Sequence, residues 1–276
     1  MLVTLREVLK DAQEKNYGVG LFNTVNLEMA KGVLAAAEEL KSPVVIGTAE
    51  VLLPYASLEE LAYFLLPMAK KASVPVVLHY DHGLTEEKIL ESLRLGFSSV
   101  MYDCSTESYD NNIDRVARIV KIAHLFGASV EGELGHVGDN VSVDDGSIYT
   151  QPAQALDFVT RTGVDALAVA IGTAHGAYKQ KPKLDIDRLA EIANTVSTPL
   201  VLHGGSGLSD QDFRNCVANG IAKINIFTDI NCAAARAAHD LYREGLGMTD
   251  LQNGIADAVK QETMQKMRVF GSVGRG

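Results

Sequence analysis

Four of the seven histidines in this 276-residue chain stand in short polar runs that directly follow apolar segments: His79-Tyr-Asp81-His82-Gly83, Gly172-Thr-Ala-His175-Gly176 and His203-Gly204-Gly205-Ser206-Gly207. Three neutral imidazoles suit a tetrahedral zinc that keeps its fourth position open for water or substrate, the arrangement of catalytic rather than structural sites. An open zinc polarises a carbonyl or holds an enediolate. One such histidine alone reads as a hydrogen-bonded loop residue; three at the ends of three strands favour a shared metal on His82, His175 and His203. His124 and His239 fall in helical stretches and read as solvated. His79 shares its strand face with Asp81 and reads as a core or supporting group, whereas His136, in a loop, is within reach of a substrate.

A second signal concerns anions. Gly204-Gly205-Ser206-Gly207 lets a backbone approach a phosphate closely, and Ser209-Asp-Gln-Asp212 after it reads as a capping box that opens a helix. Asn225-Ile226-Phe227-Thr228 places an amide and a hydroxyl at the next helix start. Either loop alone is explained by tight turns; together they favour phosphate.

These residues need a frame that brings strand ends together. Eight β-type runs are predicted at Val19–Asn23, Pro43–Thr48, Pro75–Asp81, Ser98–Asp103, Ser129–Glu133, Ala166–Ile171, Pro199–His203 and Lys223–Phe227. Helical periodicity lies between them, as at Glu28–Lys41, Leu58–Lys71, Glu86–Leu95 and Asn111–Phe126. Pro43-Val-Val-Ile and Pro199-Leu-Val-Leu are near-continuous apolar runs, as parallel strands covered on both faces require. The alternation predicts an α/β (β/α)8 TIM barrel with extra C-terminal helices, a single domain over 1–276, and an active site at the C-terminal strand ends. A doubly wound sheet would share the alternation, but no Gly-x-Gly-x-x-Gly follows the first strand.

The totals narrow the partners. With 25 basic and 35 acidic residues, a net charge of −10, the chain is not expected to bind nucleic acid or an anionic membrane, so an anionic ligand must be held locally by helix N-termini. Cys104, Cys216 and Cys232 form no Cys-x-x-Cys pair, which predicts a reducing, cytoplasmic setting without a disulfide framework. No segment approaches membrane-span length.

Val77-Leu-His-Tyr-Asp-His-Gly83, Val130-Glu-Gly-Glu-Leu-Gly135, Ala168-Val-Ala-Ile-Gly-Thr-Ala-His-Gly176, Leu202-His-Gly-Gly-Ser-Gly207 and Ile224-Asn-Ile-Phe-Thr228, in that order, resemble the class II, metal-dependent ketose-bisphosphate aldolases, which include fructose- and tagatose-bisphosphate aldolases. The resemblance spans nearly the whole chain. It implies that His82, His175 and His203 ligate a catalytic Zn2+, that Asp103 and Glu133 occupy positions of a second or alternative metal site, and that Asp81 transfers the proton. It further implies that Gly176, Gly204, Gly205, Ser206, Asn225, Ile226, Phe227 and Thr228 hold the dihydroxyacetone-phosphate half, often with a monovalent cation. The implied reaction is reversible cleavage of a ketose 1-phosphate or 1,6-bisphosphate into dihydroxyacetone phosphate and an aldehyde, by a homodimer or homotetramer.

Two positions depart from the family pattern. Where relatives carry a proton-moving glutamate on the loop after Glu-x-Glu-Leu-Gly, this chain has Val141, leaving Asp139, Asp144, Asp145, water or a substrate group to substitute. For a second phosphate the candidate cation is Arg275, acting in its own or a neighbouring subunit. Phe227 stands where relatives often have a smaller or acidic residue, so a tagatose bisphosphate or a longer or acidic ketose 1-phosphate remains open beside fructose 1,6-bisphosphate. Rival readings are a Schiff-base aldolase using Lys223, a metal-dependent sugar-phosphate epimerase, and a phosphosugar-binding barrel that has lost catalysis.

Overall fold

A computed structural model describes residues 1–137, 149–176, 178 and 182–276. Eight parallel strands close into a barrel in sequence order: β1 (Val19–Asn23), β2 (Val44–Ala49), β3 (Val76–Gly83), β4 (Ser99–Tyr102), β5 (Ser129–Leu134), β6 (Ala166–Val169), β7 (Leu200–Leu202) and β8 (Ile221–Ile226). β8 pairs back onto β1 through Val19↔Lys223 and Leu21↔Asn225, so no strand edge is left open. The expected barrel is therefore the observed one, with strand limits shifted by one or two residues.

Strand alternation divides the residues by chemistry. On β3, Val76, Leu78 and Tyr80 point outward into the main core, which also takes Val33 and Ala37 of α2 (Leu27–Leu40) and Leu61 and Leu65 of α3 (Leu58–Lys71). Val77, His79 and Asp81 alternate with them and point inward. The inward residues grade along the barrel axis. Toward the strand starts they are apolar, with Leu21, Val45, Val77, Ala168 and Val201 in one cluster. Further along they become His79, Asp81, Glu131, Glu133, His203 and Lys223, every one buried.

The apolar end is stoppered by α1 (Leu5–Glu14), a helix beginning at a Thr4–Glu7 capping box. Its Leu5, Val8, Leu9 and Ala12 recur at helical spacing and join the cluster of inward strand residues. Arg6 pairs with Asp165 at 2.6 Å and donates to it through Nε at 2.7 Å, while Asp165 also accepts from the Val130 backbone N–H. His124, exposed as expected, also meets the same carboxylate at 2.9 Å.

α4 (Glu86–Leu95), α5 (Tyr109–Leu125), α6 (Pro152–Thr162), α7 (Ile186–Thr195) and α8 (Asp210–Ala218) complete the outer layer. The expected capping box at Ser209 and Asp212 opens α8. α9 (Thr228–Leu241) and the 23-residue α10 (Met248–Phe270) follow β8, and α10 lies along α2 and α9. The tail then turns under the barrel: Gly274 N–H donates to Leu40 O, Gly276 N–H to Lys41 O, and the Ser42 and Ser272 hydroxyls meet at 2.8 Å. Among the described residues no helix is long and apolar enough to cross a membrane.

Candidate active site

The C-terminal strand ends surround a cleft of about 420 Å³. His82 is the penultimate residue of β3, and its backbone φ is 44°, a left-handed conformation that a non-glycine residue adopts at a cost. His203 follows β7 and His175 follows β6. Their rings meet edge to face, with centroids 4.5 Å apart for His82–His203, 4.8 Å for His82–His175 and 5.8 Å for His175–His203. His203 Nδ1 lies 2.8 Å from His82 Nε2, while Nε2 of His175 is buried without a hydrogen-bond partner. One ligand atom from each of the three falls within 4.8 Å of the others.

Supporting groups fix two of these rings. His82 Nδ1 lies 2.8 Å from Asp103 Oδ2, and Asp103 Oδ1 accepts from the Ser105 hydroxyl at 2.7 Å. His203 Nε2 lies 2.7 Å from Glu131 Oε1, whose other oxygen pairs with Lys223 Nζ at 2.8 Å. A carboxylate behind a ligating imidazole sets its tautomer and ring angle. Glu133 Oε2 approaches His203 Nδ1 at 3.6 Å, and His82, Asp103 and Glu133 form a second donor group of the same compactness. Three imidazoles, an orphaned buried nitrogen and flanking carboxylates are a donor set that fits Zn2+.

Asp81 is oriented by two amide side chains. Oδ2 accepts from Asn23 Nδ2 at 2.8 Å, and Asn225 Nδ2 bridges both oxygens at 3.1 and 3.2 Å. Asn225 Oδ1 in turn accepts from Lys223 Nζ at 2.7 Å, which settles the amide's orientation. Burial works to raise the Asp81 pKa, but His82, His79 and Lys223 outweigh it and hold the carboxyl well below the usual range. Glu133 behaves oppositely: burial, reinforced by Asp103, pushes it up to about 8. His175 falls to about 3 through burial and the neighbouring imidazoles. Against the cost of its own burial, Asp81, Asp103 and Glu133 raise His82 to about 10. Pairs driven apart in this way mark sites of proton chemistry.

The phosphate-type loops border the same cleft. Gly176, Gly204, Gly205, Ser206, Asn225, Ile226, Phe227 and Thr228 all line it. Gly204 has φ +65°, and a Cβ there would stand 2.3 Å from Ala174 O, so only glycine brings the loops after β6 and β7 this close. Ser206 Oγ accepts from the Phe227 and Asp229 N–H groups at 3.2 and 3.4 Å, joining this loop to the first turn of α9.

A family model for class-II fructose-bisphosphate aldolase matches residues 3–275. This chain belongs to that family. It is 40% identical over 278 residues to YdjI of Escherichia coli (strain K12), covering 100% of this chain and 99% of that protein. It is also 40% identical over 309 aligned positions, 100% of both chains, to a fructose-bisphosphate aldolase of Thermus caldophilus. The solved structure of the YdjI aldolase superposes with TM-score 0.90 at 39% identity, covering 100% of this chain and 99% of that one. The family activity is metal-dependent cleavage of a phosphorylated ketose into dihydroxyacetone phosphate and an aldehyde.

Within this aldolase, one site residue expected from sequence lies away from the cleft of its own chain. Arg275 sits under the barrel, its guanidinium 5.4 Å from the Tyr17 ring centroid, because the tail is pinned to the residues that precede β2. It is on the face opposite the cleft of its own chain. Val141, Asp139, Asp144 and Asp145 lie outside the described residues. Lys223, the Schiff-base candidate, is fully buried beneath the cleft and committed to Glu131 and Asn225, so its amine does not meet a substrate carbonyl. Three partners escaped sequence reasoning. Asn23 was marked only by ending β1, and Glu131 only by sharing an inward face with Glu133. Tyr178, whose hydroxyl donates to Gly204 O at 2.7 Å and accepts from the Ala174 N–H at 3.0 Å, left no local signal.

Proposed function

We propose that this aldolase holds Zn2+ on His82, His175 and His203 and reversibly cleaves a ketose 1-phosphate or 1,6-bisphosphate into dihydroxyacetone phosphate and an aldehyde. The observation that carries the reading is the buried, unpartnered His175 Nε2 within a compact set of three imidazoles beside Asp81. Zinc, when bound, supplies Lewis-acid stabilisation of the negative charge that develops on the ketone oxygen.

The protein's own residues do the rest. Asp81, ionised and held by Asn23 and Asn225, takes the proton from the C4 hydroxyl. The C3–C4 bond then breaks, its electron pair stays with the C3 fragment, C4 departs as the aldehyde carbon, and C3 takes a proton from water to give dihydroxyacetone phosphate. In the synthetic direction Asp81 returns the proton to the aldehyde oxygen. Gly176, Gly204 to Ser206 and Asn225 to Thr228 receive the phosphate half, where the N-terminus of α9 supplies positive potential in an acidic protein; a monovalent cation adds to it. Asp103 and Glu133 offer the metal a second position. We place the enzyme in the cytoplasm as a homodimer or homotetramer built on one domain, a setting supported by the unpaired Cys104, Cys216 and Cys232.

Release of dihydroxyacetone phosphate from a panel of ketose 1-phosphates and bisphosphates tests this. Activity is expected to vanish with chelator and return with Zn2+, and Asp81→Asn should lower kcat by about 10²–10⁴-fold with zinc content unchanged. Chelator-resistant activity that borohydride traps with substrate would sink the zinc reading. Metal and ligand binding without turnover on any sugar would leave a binding protein.

A further inference from the structure

The cleft has two unlike ends. Glycine-rich loops and the start of α9 sit after β7 and β8, and Asp81 and Asn23 occupy the middle. A ketose bound with its C1 phosphate at the β7–β8 side therefore lays its remaining carbons toward the ends of β2 and β3.

The wall met there is apolar. Ala49 ends β2, Val51 and Leu52 belong to a short 3-10 helix (Glu50–Leu52), and Leu84 follows β3; all four line the cleft. Val51 is 69% and Leu84 51% exposed, so both present branched aliphatic surface to the cleft from a segment that is firmly held. Glu50 does the holding: its Oε2 accepts from the Tyr80 hydroxyl at 2.8 Å and from the Leu84 N–H at 2.7 Å. No lysine or arginine is among the described residues that line the cleft, and its carboxylates are Asp81 and Asp103. A second phosphate would ask for a charge-assisted fork of donors. It would instead meet methyl groups with Glu50 behind them and Asp81 beside them, and Arg275 of the same chain is on the far face.

We infer that the aldehyde half is uncharged: the substrates are ketose 1-monophosphates whose distal carbons pack on Ala49, Val51, Leu52 and Leu84. This narrows, and rests on, the assignment of the β7–β8 loops to the first phosphate. The residues that decide specificity are then Val51 and Leu84, which present their side chains without closing the core.

The test is condensation by the zinc-loaded full chain of dihydroxyacetone phosphate with glyceraldehyde 3-phosphate, glyceraldehyde and butanal. The uncharged aldehydes should exceed the phosphorylated one in kcat/KM by tenfold or more, and Leu84→Lys should shrink that ratio by tenfold or more. Preference for glyceraldehyde 3-phosphate overturns the inference, as does a ratio indifferent to Leu84→Lys. Exchange of the dihydroxyacetone-phosphate C3 proton with solvent, measured without aldehyde, separates the two levels. Exchange without condensation of any uncharged aldehyde removes the substrate inference alone, whereas absence of both removes the aldolase reading and the inference with it.

Discussion

Glu131 joins two buried networks, accepting from His203 on one oxygen and pairing with Lys223 on the other. Burial opposes its charge, yet Lys223 and His203 bring its pKa down to about 2, so it stays ionised behind the imidazole. Replacing it with glutamine keeps the shape and removes the charge. Glu131→Gln should weaken zinc binding by about 10–100-fold in chelator competition, and should cost about 3–5 kcal/mol in denaturant unfolding because Lys223 is left uncompensated. Unchanged zinc affinity would show that the Glu131–His203 contact does not tune the metal. Residues of this kind explain what sequence could and could not reveal. His82, His175, His203 and Asp81 were legible because polar side chains at strand ends interrupt apolar runs. The roles of Glu131 and Asn23 depend on which residue faces them across the barrel, and that is a tertiary fact.

At the scale of elements, the site depends on how three loops are fastened. Tyr178 clips the loop after β6 to the loop after β7 by donating to Gly204 O and accepting from Ala174 N–H. Gly204 permits the approach. Tyr178→Phe should raise the KM for dihydroxyacetone phosphate several-fold, with zinc content unaltered, because one hydrogen bond of about 1 kcal/mol is lost from each loop. A KM that does not move would mean that the glycine loop is held by Ser206 and α9 alone. The strands were readable from apolar runs opened by proline at Pro43, Pro75 and Pro199. Their ends were less so, since β3 runs on to Gly83 and β8 begins at Ile221. The 3-10 helix at Glu50–Leu52 had no periodic signal in three residues. α1 did carry one in Thr4-x-x-Glu7 and the spacing of Leu5, Val8, Leu9 and Ala12, but only the closed barrel shows why it is needed.

For the molecule as a whole, the two faces of the barrel have separate duties. The lower face is a clamp of Arg6, Asp165, His124 and the C-terminal tail; the upper face is chemistry. Arg275 belongs to the clamp through Tyr17. Arg275→Ala should therefore leave kcat and KM within twofold of the parent, and a large rise in KM for one ketose would instead show that the tail serves a neighbouring subunit's cleft. The division also gives α1 a role in traffic. With its floor sealed by Leu5, Val8 and Leu9, the barrel is a blind cup with one mouth. On the proposed binding mode, the aldehyde would rest against Val51 and Leu84 and the phosphate fragment at the β7–β8 loops beside Asn225. Both fragments then share a single exit, and neither can leave through the floor.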